Sequence, residues 1–105
     1  MIGRVWHGWT TPARADDYES LLRTEVFPGI LARGVPGFRR IELFRREAGA
    51  EVEFMTVMWF DDHDAVRGFA GDDAEAAYVP PAARRVLARF DARAQHYAVR
   101  ETRAA

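Results

Sequence analysis

Hydrophobic residues recur along the chain at spacings that change from strand-like to helical and back. Residues 2–9 are rich in β-branched and aromatic side chains and predict a first strand. The next apolar residues fall at helical spacing, and they are Tyr18, Leu21, Leu22, Val26 and Ile30. Pro28 interrupts this stripe and predicts a kink or a restart of the helix, because proline has no amide hydrogen to donate. Residues 38–46 and 51–60 predict two further strands joined by a hairpin.

The second half of the chain predicts two helices and a last strand. Asp61 or Asp62 is expected to cap the first of these helices. A Pro-Pro pair at 80–81 predicts the start of the next one, which we expect to include Phe90. The last strand is predicted over roughly residues 92–101. The resulting order of elements is β-α-β-β-α-(α)-β.

That order predicts an α+β protein of the ferredoxin-like βαββαβ plan, a four-stranded antiparallel sheet with helices on one face. The second half of the third strand is apolar on both faces, with Met55, Val57 and Trp59 alternating with Phe54, Met58 and Phe60. A strand of this kind is covered on both sides. We therefore expect a homodimer in which two sheets pack face to face as a dimeric α+β barrel. Residues 1–101 are expected to form a single domain, followed by a frayed C-terminal tail at 102–105.

Composition narrows the classes of function. The chain of 105 residues is 49% hydrophobic, has a formal net charge of -1 and contains no cysteine. Thiolate catalysis and cysteine-based metal sites are therefore excluded. The balanced charge argues against a nucleic-acid partner, and no apolar run is long enough to predict a membrane span. Without a hydrophobic leader near Met1, a cytoplasmic location is expected.

Three segments together resemble the antibiotic biosynthesis monooxygenase family. They are Ala15-Asp16-Asp17-Tyr18, the stretch Phe60-Asp61-Asp62-His63-Asp64-Ala65-Val66 followed by Phe69-Ala70-Gly71, and Phe90-Asp91 leading into His96-Tyr97-Ala98-Val99. The resemblance implies a homodimer with a pocket between the helices and the sheet of each subunit. Some members oxidise polycyclic phenols with molecular oxygen and need neither metal nor flavin. Related members bind and degrade haem with an Asn, a Trp and a His, but this chain has no asparagine, and it has Phe60 where members often carry Trp.

Three polar side chains are the candidates for catalysis. His96 is the leading one, since a neutral imidazole can take a phenolic or benzylic proton near neutral pH. The alternative is a histidine packed between helix and sheet with its ring bonded to backbone or carboxylate. His7 is the second candidate, against the alternative of a sheet histidine near a subunit interface. Arg4 can hold an anionic oxygen by a charge-assisted bond, or it forms an ion pair at the surface or interface.

Aromatic side chains are the candidates for binding a planar ligand. Those proposed to line a cavity are Trp6, Trp9, Trp59, Phe60, Phe69 and Tyr78, and the alternative for each is ordinary core or interface packing. The Tyr78 hydroxyl can bond a substrate carbonyl. His63 is expected to be a solvated residue in the first turn of a helix, with axial ligation of haem as the alternative. No metal site is expected, because no pair of histidines has the spacing of a helical metal motif.

These expectations favour a cofactor-independent monooxygenase or a related tailoring enzyme that acts on a small hydroxylated aromatic or polyaromatic compound. His96 would be the base, and Arg4 or Tyr78 would stabilise the developing negative charge. No cofactor is expected under this hypothesis. Two alternatives remain open at this point: a dimer that holds haem or another planar ligand without turnover, and a dimer with no small-molecule role.

Overall fold

The computed structural model describes residues 1–105, and each element begins where the local sequence supplies a signal for it. The turn-forming glycines Gly34, Gly37 and Gly49 have positive φ angles and lie in the connections that flank the second strand. The strands and helices, in chain order, are β1 Ile2–Thr10, α1 Ala15–Leu21, α2 Phe27–Ala32, β2 Phe38–Ala48, β3 Glu51–Phe60, α3 His63–Ala70, α4 Pro81–Val86, β4 Arg89–Phe90 and β5 Gln95–Ala98.

The strands form one antiparallel sheet in the order β2-β3-β1, with β4 and β5 both paired to the outer edge of β1. The α+β class and the helices on one face are as predicted, but the sheet has five strands instead of four. The fourth position is shared, because β4 pairs near Gly8 and β5 pairs near Arg4. Between them the chain leaves the sheet, where Arg93 bridges to Ala76 and the Ala94 amide donates to the Glu75 carbonyl.

The predictions for the end of the chain need two corrections. Helix α4 ends at Val86, and Phe90 lies in β4 instead of in the helix. The reason is that Leu87 is extended and buried in the core, and the next amide, that of Ala88, donates to the Trp9 carbonyl on β1. The single last strand predicted over 92–101 is likewise reduced to Gln95–Ala98. The residues after Ala98 form no regular element.

The first helical region restarts next to Pro28, which is one of the two outcomes predicted. A 3-10 turn at Pro12–Arg14 leads into α1, and a π-helical turn at Leu22–Val26 joins α1 to α2. Pro28 lies in the first turn of α2, where its missing amide hydrogen breaks the regular bonding pattern of the preceding turn. Leu22 and Val26 of this wider turn line an apolar cavity between the helices and the sheet.

One face of the sheet is covered by the helices and holds the hydrophobic core; we call it the helix face. Alternation along β3 places Phe54 and Phe60 on this face, and both are completely buried. Each side chain of this kind contributes about 1.5–3 kcal/mol of burial free energy. Phe54 packs edge-on against Tyr18 of α1 at 4.9 Å between ring centroids, and Phe60 packs against Phe69 of α3 at 5.9 Å. These two contacts anchor the two core clusters.

The opposite side of the sheet is covered by no helix of the chain; we call it the open face. Its side chains include Val5, His7, Trp9, Phe44, Met55, Val57, Trp59 and Tyr97. Phe44 and Tyr97 are largely exposed, at 46% and 60%. The open face therefore exposes large apolar side chains to solvent.

Two aspartates, Asp61 and Asp62, precede helix α3 and make different contacts. The Asp62 side chain accepts a hydrogen bond from the Ala65 amide at 2.9 Å and is the cap of α3. Asp61 instead pairs with Arg39, whose guanidinium lowers the pKa of the Asp61 carboxyl. No helix in the structure is long and apolar enough to cross a membrane.

Candidate functional site

An apolar cavity lies between the helix face of the sheet and helices α1, α2 and α4. Twelve of its fifteen lining residues are hydrophobic, and the space measures about 510 Å³ with its open mouth included. The centres of water molecules can occupy about 50 Å³ of this space. That is room for roughly three to five waters. A ligand with several rings therefore enters only when side chains at the mouth move.

The charged group that faces this cavity from the sheet is the guanidinium of Arg4, and Thr56 is the other polar residue that lines it from a strand. Arg4 points to the helix face from the middle of β1 and is only 4% exposed. Its Nη1 donates to the Ala74 carbonyl at 2.5 Å and its Nη2 to the Ala76 carbonyl at 2.8 Å, so the loop before α4 holds it in place. Nη1 also contacts His96 Nε2 at 2.8 Å.

None of these three partners of Arg4 is a carboxylate. Burial lowers the pKa of Arg4, and the charge of Glu75 acts in the opposite direction. A guanidinium nevertheless stays protonated in proteins. It has five N–H groups and uses three here, so two are left without a partner in the chain. The cavity wall thus carries a fixed positive charge, and two of its N–H groups form no hydrogen bond within the chain.

His96 lies beside Arg4 because β5 pairs with β1 so that the two residues are directly opposite each other. Since arginine has no acceptor, His96 Nε2 must accept from it, and the ring is neutral with its proton on Nδ1. Burial, and after it the charge of Arg4, lower the pKa of His96. A general base must have a free acceptor nitrogen, and this one is already engaged. His96 is therefore well placed to orient Arg4.

Phe69 and Tyr78 lie together at the cavity, as their prediction as ligand-binding residues requires. Phe69 of α3 is buried, and the ring of Tyr78 meets it edge-on at 6.1 Å between centroids. The guanidinium of Arg4 lies 5.5 Å from the Phe69 ring centroid and that of Arg33 lies 4.8 Å from it. Tyr78 itself is 56% exposed and lines the cavity, so it stands between the cavity and solvent.

The structure does not bring His7, Trp9 or Trp59 to this cavity, because all three lie on the open face. His7 stacks on Trp9 at 6.0 Å, and its Nδ1 lies 3.3 Å from an Asp91 carboxylate oxygen. The Trp59 indole donates to Glu42. The strand alternation separates these residues from Arg4, which shares its face with Trp6.

Phe60 and His63 do not line the cavity either. Phe60 is fully buried in the core between Phe38 and Phe69. His63 is exposed at the start of α3. With His63 on the surface and the Nε2 of His96 bonded to Arg4, the chain presents no free histidine nitrogen to a haem in the cavity. No cluster of three or more potential metal-ligating side chains occurs.

Tyr18 is a cavity residue that the sequence pattern did not identify, because it belongs to an apolar helical stripe. It is only 1% exposed, and it also lines the cavity. Burial raises the pKa of its hydroxyl. Trp6 lines the cavity as well, but its indole N–H is already donated to the Asp91 carbonyl at 2.7 Å. Four lining residues have polar donors that the chain leaves free, and of these Arg4 and Tyr18 are buried, whereas Thr56 is half-buried and Tyr78 is largely exposed.

The fold and the cavity define a class: ferredoxin-like α+β proteins with an internal apolar cavity beside the sheet. No family model matches the sequence, and no curated protein matches it. Among solved structures, the chain is similar to a Bacillus cereus protein whose assignment as an antibiotic biosynthesis monooxygenase is provisional. The TM-score is 0.71 at 12% identity, over 99% of this chain and 97% of that one.

The chain is also similar to SnoaB, a cofactor-independent oxygenase from Streptomyces nogalater. The TM-score is 0.62 at 19% identity, over 96% of this chain and 95% of SnoaB. A SnoaB variant gives 0.63 at 22% identity, over 96% and 94%. At these identities the likeness establishes a shared fold, which is the fold of the family that the sequence motifs resemble.

Proposed function

We propose that the chain is a cofactor-independent oxygenase that acts on a small hydroxylated aromatic compound, bound in the cavity as its phenolate. The observation that carries the proposal is the buried guanidinium of Arg4. A charge that is removed from water without a carboxylate partner is costly. A ligand with an anionic oxygen and an apolar body would supply the missing partner and fill the rest of the cavity.

The chemistry requires an electron-rich ring more than it requires acid–base groups. A phenolate can give an electron to molecular oxygen, and the resulting radicals then combine. For a ring methylene conjugated with the phenolate, the balanced outcome is loss of both hydrogens, gain of one oxygen atom as a carbonyl and release of the other oxygen as water. Arg4 would stabilise the phenolate. The apolar wall would keep bulk water from the reduced oxygen species.

His96 has a different role in this proposal from the base predicted from the sequence. Its Nε2 accepts from Arg4, so it would hold the guanidinium in the orientation that the ligand needs. The ligand would lose its proton to solvent on binding, because the neighbouring positive charge favours the anion. His96 would act as a base only if Arg4 first released Nε2.

The structural neighbours support this assignment over a purely structural role. SnoaB, which has the same fold, is itself a cofactor-independent oxygenase. The absence of cysteine and the lack of a free histidine nitrogen in the cavity are in keeping with a reaction that depends on the substrate's own electrons.

The test is oxygen consumption by the purified protein with a panel of hydroxylated aromatics that includes a hydroxyanthrone, followed by mass spectrometry with ¹⁸O₂. We expect uptake of one O₂ per product and one labelled atom in the product. Arg4→Met should abolish uptake. The matched control is Arg40→Met, which removes an arginine from the open face, where it lies over Trp59. Binding without uptake across the panel would point to the alternative of a ligand carrier and contradict an oxygenase.

We also propose that two copies associate through the open face. The apolar strip that includes Phe44, Val57 and Tyr97 runs across the middle of this face. Charged residues of both signs, such as Arg46 and Glu53, flank it. A surface of this composition can be complementary to itself about a two-fold axis, and covering it would remove the exposure of Phe44 and Tyr97.

A further inference from the structure

Tyr18 presents a hydroxyl that the fold buries without using. Its ring packs edge-on against Phe54 in the core, and only 1% of the residue is exposed. Thr10 Oγ1 is the one side-chain oxygen that has neither a hydrogen-bond partner nor accessible surface. The Tyr18 hydroxyl also has no partner in the chain, but it differs from Thr10 Oγ1 in that it retains some accessible surface. Because Tyr18 is in the cavity wall, that surface faces the cavity.

No hydrogen bond contributes to the shift in the pKa of the Tyr18 hydroxyl, and burial is its cause. Burial raises its pKa, so the group is protonated at neutral pH. It is therefore a donor and not a base. A buried hydroxyl without a partner is destabilising, and an acceptor on a ligand would remove that cost.

Tyr18 and Arg4 contact the cavity at different rows of the sheet. Arg4 is opposite Met58 on β3, whereas Tyr18 packs on Phe54, which is opposite Gly8. The two rows are four residues apart along the strand, which is about 13 Å. The guanidinium and the Tyr18 hydroxyl therefore meet a bound ligand from different rows of the sheet.

We propose that Tyr18 is a specificity-determining residue that donates a hydrogen bond to an uncharged oxygen of the ligand, at the end of the molecule remote from the phenolate held by Arg4. The preferred ligand is thus a phenol that carries a ketone at the end remote from its hydroxyl. This inference rests on the proposed function, since it takes the bound compound to be an aromatic phenolate.

The test compares two compounds with the same skeleton, 6-hydroxy-1-tetralone and 5,6,7,8-tetrahydro-2-naphthol. The first has a ketone on the ring remote from the hydroxyl, and the second lacks it. Calorimetry gives the affinity of each for wild type and for Tyr18→Phe, which removes the hydroxyl alone. We expect Tyr18→Phe to weaken binding of the tetralone about five- to tenfold, the value of one neutral hydrogen bond. Binding of the naphthol should not change.

The matched control is Tyr97→Phe, which removes the same group from the open face and should alter neither affinity. A measurement on the wild type alone adds a check that does not depend on the fold of a variant: the carbonyl ¹³C resonance of labelled tetralone should move downfield on binding.

The outcomes separate this inference from the proposed function. An equal change for both compounds, or no change for either, with an unshifted carbonyl resonance, overturns the role of Tyr18 and leaves the phenolate site intact. Failure of the wild type to bind either compound overturns both, since a phenolate site that rejects simple fused-ring phenols is not the site described.

Discussion

Replacing Arg4 with methionine should remove phenol binding while leaving the shape of the cavity nearly unchanged. Methionine keeps an unbranched apolar side chain but has no charge and no donor. The two N–H groups of the guanidinium that have no partner in the chain would donate hydrogen bonds to the phenolate oxygen. A hydrogen bond to a charged group contributes about 1.5–3 kcal/mol. We expect a net loss of about 2–4 kcal/mol, which is about 30- to 900-fold in Kd.

The same substitution has a cost in stability that must be measured separately. It leaves the carbonyls of Ala74 and Ala76 and the Nε2 of His96 without their donor. The loss is offset in part because the buried charge is gone. A net destabilisation of about 2 kcal/mol corresponds to about 8–16 °C in Tm for a domain of this size, which differential scanning calorimetry resolves.

The assay is calorimetric titration with 5,6,7,8-tetrahydro-2-naphthol at a temperature where the variant is folded. Arg4→Lys is the companion variant, because it retains the charge but not the fork of donors, and it should lose less affinity than Arg4→Met. Unchanged affinity in a folded Arg4→Met protein would refute the reasoning, since the cavity would then bind phenols by apolar contact alone.

Three further predictions concern titration, backbone and assembly. Because the folded-state pKa of His96 is lowered, the unfolded chain binds the proton more tightly, so stability should be full above about pH 6.5 and decline as the pH falls below it; His96→Gln should reduce this decline in thermal melts, and an unchanged decline would contradict the assignment to His96. Gly37→Ala should lower the free energy of unfolding by about 3 kcal/mol, since Gly37 has φ +80° and an added Cβ would lie 2.7 Å from that of Ala65. The control is Gly34→Ala, at φ +59° with open space around it, which should lower it by about 1–2 kcal/mol in denaturant titrations. Equal effects of the two substitutions would contradict a clash at Gly37. Light scattering should give about twice the 11.9 kDa chain mass, and Phe44→Arg on the open face should give the monomer; a wild-type monomer would contradict the association.

The order of elements was predictable because each has a local signal. Pro28 marked the restart of the first helical region, and the run of β-branched and apolar residues in 51–60 marked a strand. The split of the last strand was not predictable, because it depends on distant backbone bonds, such as that from the Ala88 amide to the Trp9 carbonyl. A helical proline pair at 80–81 also gives no information about where that helix ends.

The site was predictable only in part, for a reason of geometry. Alternation correctly placed Arg4 and His7 on opposite faces, but it could not say which face has a cavity. The pairing of Arg4 with His96 depends on strand register, and one residue of slip would separate them. Tyr18 carried no signal at all, since a tyrosine in an apolar helical stripe has the same pattern whether its hydroxyl faces a cavity or solvent.

The measurement that tests the central claim most directly is the pH at which a phenol ionises while bound. The absorbance of 6-hydroxy-1-tetralone reports its phenolate, and the titration is followed with the compound free, bound to wild type and mixed with Arg4→Met. The account predicts that wild type lowers the apparent pKa of the phenol by about 1–3 units, because a guanidinium in contact favours the anion, and that the variant does not. A bound pKa equal to or above that of the free compound would contradict a phenolate site at Arg4.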